Sequence, residues 1–122
     1  MSSAGGRAVL GIVTVVVLAS IAACGADGPR TALERGEAIY GANCAQCHGA
    51  ALAGTDKGPS LLDPAYAPGV LSDVQFADSI RNGAEQRLWE FGPMPANGAL
   101  SDEQIDAILT FVRARQGGEP GA

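Results

Sequence analysis

Histidine is almost missing from this sequence: His48 is the single one in 122 residues. A site that takes two imidazoles from one chain is therefore excluded. Methionine is nearly as scarce, with Met1 and Met94 alone, and cysteine stops at Cys24, Cys44 and Cys47. A structural zinc site takes four ligands, usually Cys or His, and beyond residue 30 only Cys44, Cys47 and His48 are on offer. Basic side chains are also few, 8 against 13 acidic, for a formal net charge of -5. No basic patch is available for nucleic acid. There is no internal repeat, and the longest apolar run, from Ala8 to Ala19 with Thr14 inside it, falls short of the roughly 20 residues of a membrane-spanning helix.

What the chain does have is concentrated in Cys44-Ala45-Gln46-Cys47-His48. Two cysteines three apart followed at once by a histidine form the attachment pattern of a c-type haem. On a helical turn, positions i and i+3 share a face, so both thiols can reach one side of a porphyrin while His48 is carried under it. A thioredoxin-like redox pair requires a βαβ setting, and no β alternation surrounds Cys44. A disulfide between residues three apart closes a very small loop and gains little. The five residues resemble the attachment motif of the cytochrome c family, and the likeness extends over residues 31–116. It implies an all-α, cytochrome c-like fold of three main helices around one covalently attached haem, with Cys44 and Cys47 as the thioether positions and His48 as an iron ligand.

The first two dozen residues read as an export signal. Arg7 is the only charge before Asp27, the apolar stretch follows, and Ile21-Ala22-Ala23-Cys24 closes it with small residues. A charged start, a short apolar core and small residues before a cut are the marks of a secretory leader. Ile21 to Cys24 also resembles the box of bacterial lipoproteins, which implies lipid attachment at Cys24 and a mature chain beginning there; a leader retained as an anchor is the alternative. A single acyl chain binds a membrane only marginally, so the anchor requires two or more. The expected organisation is a signal over 1–23, a lipid-anchored tether over 24–30, the folded domain over 31–116 and a loose tail over 117–122. The place is the outer, periplasmic face of the bacterial plasma membrane. Loss of Arg7 leaves the protein acidic, suited to a basic redox partner.

Three capping boxes mark helix starts: Thr31 with Glu34, Ser72 with Gln75 and Ser101 with Gln104. The first helix is expected to run to about Asn43 and deliver Cys44, with Leu33, Gly36 and Tyr40 on one face. The second carries Val74, Ala77 and Ile80 on one side and stops at Asn82-Gly83. The last places Ile105, Ile108, Leu109 and Val112 in a stripe, Phe111 beside it, and Arg113 and Arg115 in the final turn, where positive charge is favoured. Gly36 and Tyr40 against Phe111 is the expected helix crossing. Between Gly49 and Leu71 the chain has little periodicity; such a loop is unusual in a compact domain unless it wraps a large cofactor. A body of about 85 residues often needs help to be stable, and the haem-free chain is expected to be largely unfolded.

Met94 stands in Phe91-Gly92-Pro93-Met94-Pro95. Flanking prolines bar a helix and keep the backbone extended. The resemblance implies that a methionine well downstream of the motif is the second axial ligand; a packing role for Met94, with Lys57 or water on the iron, is the alternative. It also implies that the carbonyl of Pro59, in Gly58-Pro59-Ser60-Leu61, orients His48, and that Leu61 packs on the ring. Trp89 and Phe91 either wall the pocket, with the indole donating to a propionate, or pack in the core. Arg81 and Arg87 either pair with propionates or are solvated. Histidine plus methionine favours electron transfer over catalysis. The expectation is a membrane-tethered, monomeric monohaem cytochrome c carrying single electrons between membrane redox proteins. A fixed haem subunit of a respiratory or dehydrogenase complex is the alternative, and a ligand sensor or peroxidase with a labile sixth position is the reading from another class.

Overall fold

The computed structural model describes residues 31–117. The leader, Cys24, the tether and all of the tail but Gly117 lie outside the described residues. Among the described residues four helices occur: α1 (Ala32–Asn43), the single turn α2 (Ala45–His48), α3 (Asp73–Asn82) and α4 (Asp102–Arg115). One turn of 3-10 helix, Pro64–Tyr66, interrupts the long loop between α2 and α3. Among the described residues there is no strand, only one antiparallel bridge between Ala84 and Met94.

Each long helix starts where its capping box is written. Thr31, Ser72 and Ser101 accept from the backbone N–H three residues on, and Glu34, Gln75 and Gln104 reach back to the cap. Each such cap is worth about 1 kcal/mol. The helices end by different means. α1 passes straight into Cys44, whose N–H donates to the Tyr40 carbonyl, and α3 stops at Gly83, at φ +82°. A Cβ on Gly83 would also sit 2.7 Å from the Met94 carbonyl, so glycine there is needed twice over.

α1 and α4 form the main crossing, and Gly36 sets its distance. A Cβ at Gly36 would lie 1.9 Å from the Ala107 carbonyl oxygen and 2.9 Å from Phe111 Cβ. The backbones meet because one side chain is missing, which outweighs the roughly 1 kcal/mol that glycine costs inside a helix. Tyr40 and Phe111 stack beside the contact, tilted by 48° with centroids 5.3 Å apart. Ile105, Ile108, Leu109, Phe111 and Val112 of α4 are buried, as the stripe requires, and join Tyr40, Leu52, Leu61, Phe76 and Ile80 in one core.

Two expectations are corrected. Leu33, expected on the face of Gly36 and Tyr40, is 44% exposed; of α1 only Gly36 and Tyr40 are buried. Val74 is 79% exposed, and the inward face of α3 is carried by Phe76 and Ile80, an i, i+4 pair. Arg113 is in the last turn of α4, as expected, and is also buried, with its guanidinium turned into the protein.

Candidate cofactor site

Cys44 joins α1 to α2, and Cys47 and His48 lie in α2 itself. The N–H groups of both Cys47 and His48 donate to the Cys44 carbonyl, so the two cysteines and the histidine belong to one helical turn. Both thiols are free and half-buried. Burial first, then the neighbouring Cys47, pushes the Cys44 thiol up to about 11. A reactive redox thiol needs the opposite shift, so thioredoxin-like chemistry is disfavoured on electrostatic as well as sequence grounds.

His48 is held from behind. Its Nδ1 lies 2.9 Å from the Pro59 carbonyl oxygen. A carbonyl can only accept, so this contact makes Nδ1 the protonated nitrogen and leaves the Nε2 lone pair for a metal. The loop that supplies Pro59 is tied to the motif by two bonds, Gly54 N–H to the His48 carbonyl and Thr55 Oγ1 to the Cys47 carbonyl at 2.6 Å, and is closed on itself by Leu61 N–H to the Leu52 carbonyl. Leu52 is fully buried and adopts φ +61°, uncommon for a residue with a side chain. The Tyr40 hydroxyl donates to the Gly49 carbonyl at 2.7 Å and fastens the end of the motif to α1.

A cavity of about 880 Å³ opens in front of this turn, within the range of roughly 300–1,000 Å³ common for cofactor sites. Cys44, His48, Pro59, Leu61, Trp89 and Met94 all line it. Cys47 lies on the same turn without itself forming the wall. Met94 comes from the opposite end of the sequence, its backbone fixed by the reciprocal bonds of the Ala84 bridge, 2.7 and 3.0 Å. Lys57 is exposed and is not among the lining residues.

Trp89 and Phe91 belong to the cavity wall and not to the core. The Trp89 indole donates to the Tyr66 hydroxyl at 3.1 Å. Arg81 pairs with Asp102 at the surface, 2.5 Å away, while exposed Arg87 lines the cavity. Sequence reasoning missed Tyr66, Leu71 and Phe76, which also line it. Of these, Phe76 had a local signal in its i, i+4 spacing to Ile80; Tyr66 and Leu71 sit in the aperiodic loop and had none.

The residues fit a haem. Two thiols and an imidazole stand on one helical turn at the edge of a cavity wide enough for a macrocycle. The apolar side chains of Val70, Val74, Leu88 and Phe91 line that space while remaining exposed, as walls for a flat apolar group would. Fold and site together define a c-type cytochrome carrying one covalently bound haem c.

The comparisons agree with this class and narrow it. Residues 31–112 match the family described as cytochrome c oxidase, cbb3-type, subunit III, and the chain belongs to that family. It is 33% identical over 88 residues to the cbb3-type cytochrome c oxidase subunit CcoP of Cereibacter sphaeroides, covering 66% of this chain and 30% of that protein. It is 32% identical over 109 residues to the cbb3-type cytochrome c oxidase subunit FixP of Bradyrhizobium diazoefficiens, covering 81% and 36%. The chain thus spans about a third of the length of these curated relatives. Among solved structures, the c-type cytochrome XoxG from Methylobacterium extorquens AM1 aligns with a TM-score of 0.54 at 28% identity, over 70% of this chain and 51% of that one.

Proposed function

We propose that this chain is a monohaem electron carrier whose iron would be held by His48 and Met94, tethered through a lipid on Cys24 to the outer face of the bacterial plasma membrane. The observation that carries the ligand assignment is the meeting, in one cavity, of an imidazole whose Nδ1 is committed to Pro59 and a methionine whose backbone is pinned by the Ala84 bridge. The position of Lys57 away from the cavity supports Met94 over it. Haem iron supplies one-electron chemistry. His48 and Met94 would together hold the iron, and a methionine ligand favours the reduced state and electron transfer over catalysis. The Pro59 carbonyl accepts from the His48 Nδ1–H and fixes the tautomer and orientation of the ring, and Leu61 and Trp89 form part of the wall. Tethering raises the effective concentration at membrane partners.

The test is the absorption spectrum of natively matured protein in both redox states. The oxidised form should show the far-red band of an iron–methionine bond, and His48→Ala should lose the low-spin spectrum. A wild type without that band would remove Met94 from its role. Mass analysis of the N-terminal peptide should find a diacylglyceryl group on Cys24; an unmodified or uncleaved terminus would sink the tether.

A second reading, a fixed subunit of a terminal oxidase complex, is favoured by the family match and by the oxidase subunits among the relatives. It uses the same site. Detergent-solubilised carrier should purify as a monomer, whereas a fixed subunit brings its complex with it.

A further inference from the structure

Arg113 is the one charged side chain buried among the described residues, at 1% exposure. Its Nε donates to Asp73 Oδ1 at 2.7 Å, Nη1 to the Tyr66 carbonyl and to Gln116 Oε1 at 2.8 Å each, and Nη2 to the Leu71 carbonyl at 2.5 Å. The guanidinium carbon lies 5.3 Å from the centroid of the Phe76 ring. Tyr66, Leu71 and Phe76 all line the cofactor cavity, as does Val112 beside Arg113 in the chain. The cation therefore stands one layer behind the wall. Its acceptors are mostly neutral. The single countercharge, Asp73, is at the first position of α3 with its side chain 32% exposed, so water screens the anion more than the cation. A charge held away from water acts over a longer distance than a surface charge.

A site that gains one electron on reduction responds to such a charge. We propose that the Arg113–Asp73 pair sets the reduction potential of the cofactor: the buried guanidinium favours the reduced state and Asp73 offsets part of that bias. The proposal rests on the electron-carrier reading. A purely structural role competes with it, because Arg113 and Gln116 also staple the 61–71 loop to α4, Gln116 Nε2 donating to the Leu61 and Tyr66 carbonyls.

The experiment is a spectroelectrochemical titration of the matured holoprotein, the electrode supplying the electron. Asp73→Asn keeps an oxygen acceptor for Nε and removes the charge. It should move the redox equilibrium toward the reduced form by about threefold, with the visible spectrum unchanged. Arg113→Met should move it toward the oxidised form by up to about tenfold, which is about 59 mV for one electron. Arg113→Lys keeps the charge but loses the planar fork, and should retain most of the wild-type potential while being less stable. An unchanged potential in Asp73→Asn overturns the proposal, and so do equal shifts in Arg113→Lys and Arg113→Met. If the Arg113 variants fail to mature, Asp73→Asn alone decides. A wild type lacking the far-red band overturns the ligand assignment and leaves the Asp73→Asn comparison intact, so the two failures are distinguishable.

Discussion

The two segments that bring the proposed ligands, His48 and Met94, to the cavity are built to different standards. The histidine side, residues 44–61, is laced to itself and to α1. Cys44, His48, Cys47 and Leu52 carbonyls accept from within the segment, Pro59 braces His48, and Tyr40 clamps Gly49. The methionine side, residues 83–95, is held by the Ala84–Met94 bridge, by Gln86 Oε1 accepting from the Gly92 N–H at 2.9 Å, and by Trp89 on Tyr66. Residues 85–91 are all exposed. Segments with few buried contacts and solvent-exposed bonds open first. The attachment side is a fixed frame, and Met94 arrives on an exposed strap held by three contacts.

This difference can be broken from the rigid side first. Replacing Cys44 and Cys47 together by Ala should abolish covalent haem and leave the chain largely unfolded, because the helices lose the apolar group that their cavity surrounds; circular dichroism and haem staining of the same preparation check both. On the strap, Met94→Ala should leave attachment and helicity intact. It should lower the potential and convert the low-spin spectrum to one that accepts carbon monoxide on reduction. If Met94→Ala unfolded the protein as fully as the double cysteine variant, the contrast between frame and strap would be lost.

The smallest effect sharpens the frame. Burial first, with Cys44 beside it, holds the Tyr40 hydroxyl well above the ordinary tyrosine value of 10; in the haem-bound protein burial is the part that remains. Folded Tyr40 thus binds its proton more tightly than unfolded Tyr40, and its stabilisation is fully present below pH 10 and lost as pH rises above it. Tyr40→Phe loses the bond to Gly49, a cost of about 1 kcal/mol at neutral pH. Its deficit against wild type should shrink above pH 10, as read by denaturant titration at both pH values; a constant deficit would contradict the role of the hydroxyl.

What was legible in the sequence follows from range. The capping boxes are contacts across three residues, so Thr31, Ser72 and Ser101 marked their helices to the residue. The attachment turn is equally local. The α1–α4 crossing could be read because a glycine, an aromatic and an apolar stripe leave few ways to bury one another. On α3, Ile80 was placed correctly but Val74 was not, since apolar spacing does not say which cavity-lining residue the rest of the fold covers: Phe76 and Ile80 line the cavity and are buried, whereas Val74 lines it and stays exposed. Arg113 was unreadable in principle: its burial depends on carbonyls at Tyr66 and Leu71, more than 40 residues away in a loop without periodicity. Trp89 was placed at the pocket, but its partner, the Tyr66 hydroxyl, depends on the same loop.

The proposed pairing of His48 and Met94 as iron ligands carries the functional reading, and carbon monoxide titration of the reduced, natively matured protein tests it most directly. With both positions held by side chains, the wild-type spectrum should stay unchanged at concentrations that saturate Met94→Ala. Rapid stoichiometric binding by the wild type would contradict a firm thioether and turn the reading toward a ligand sensor or peroxidase.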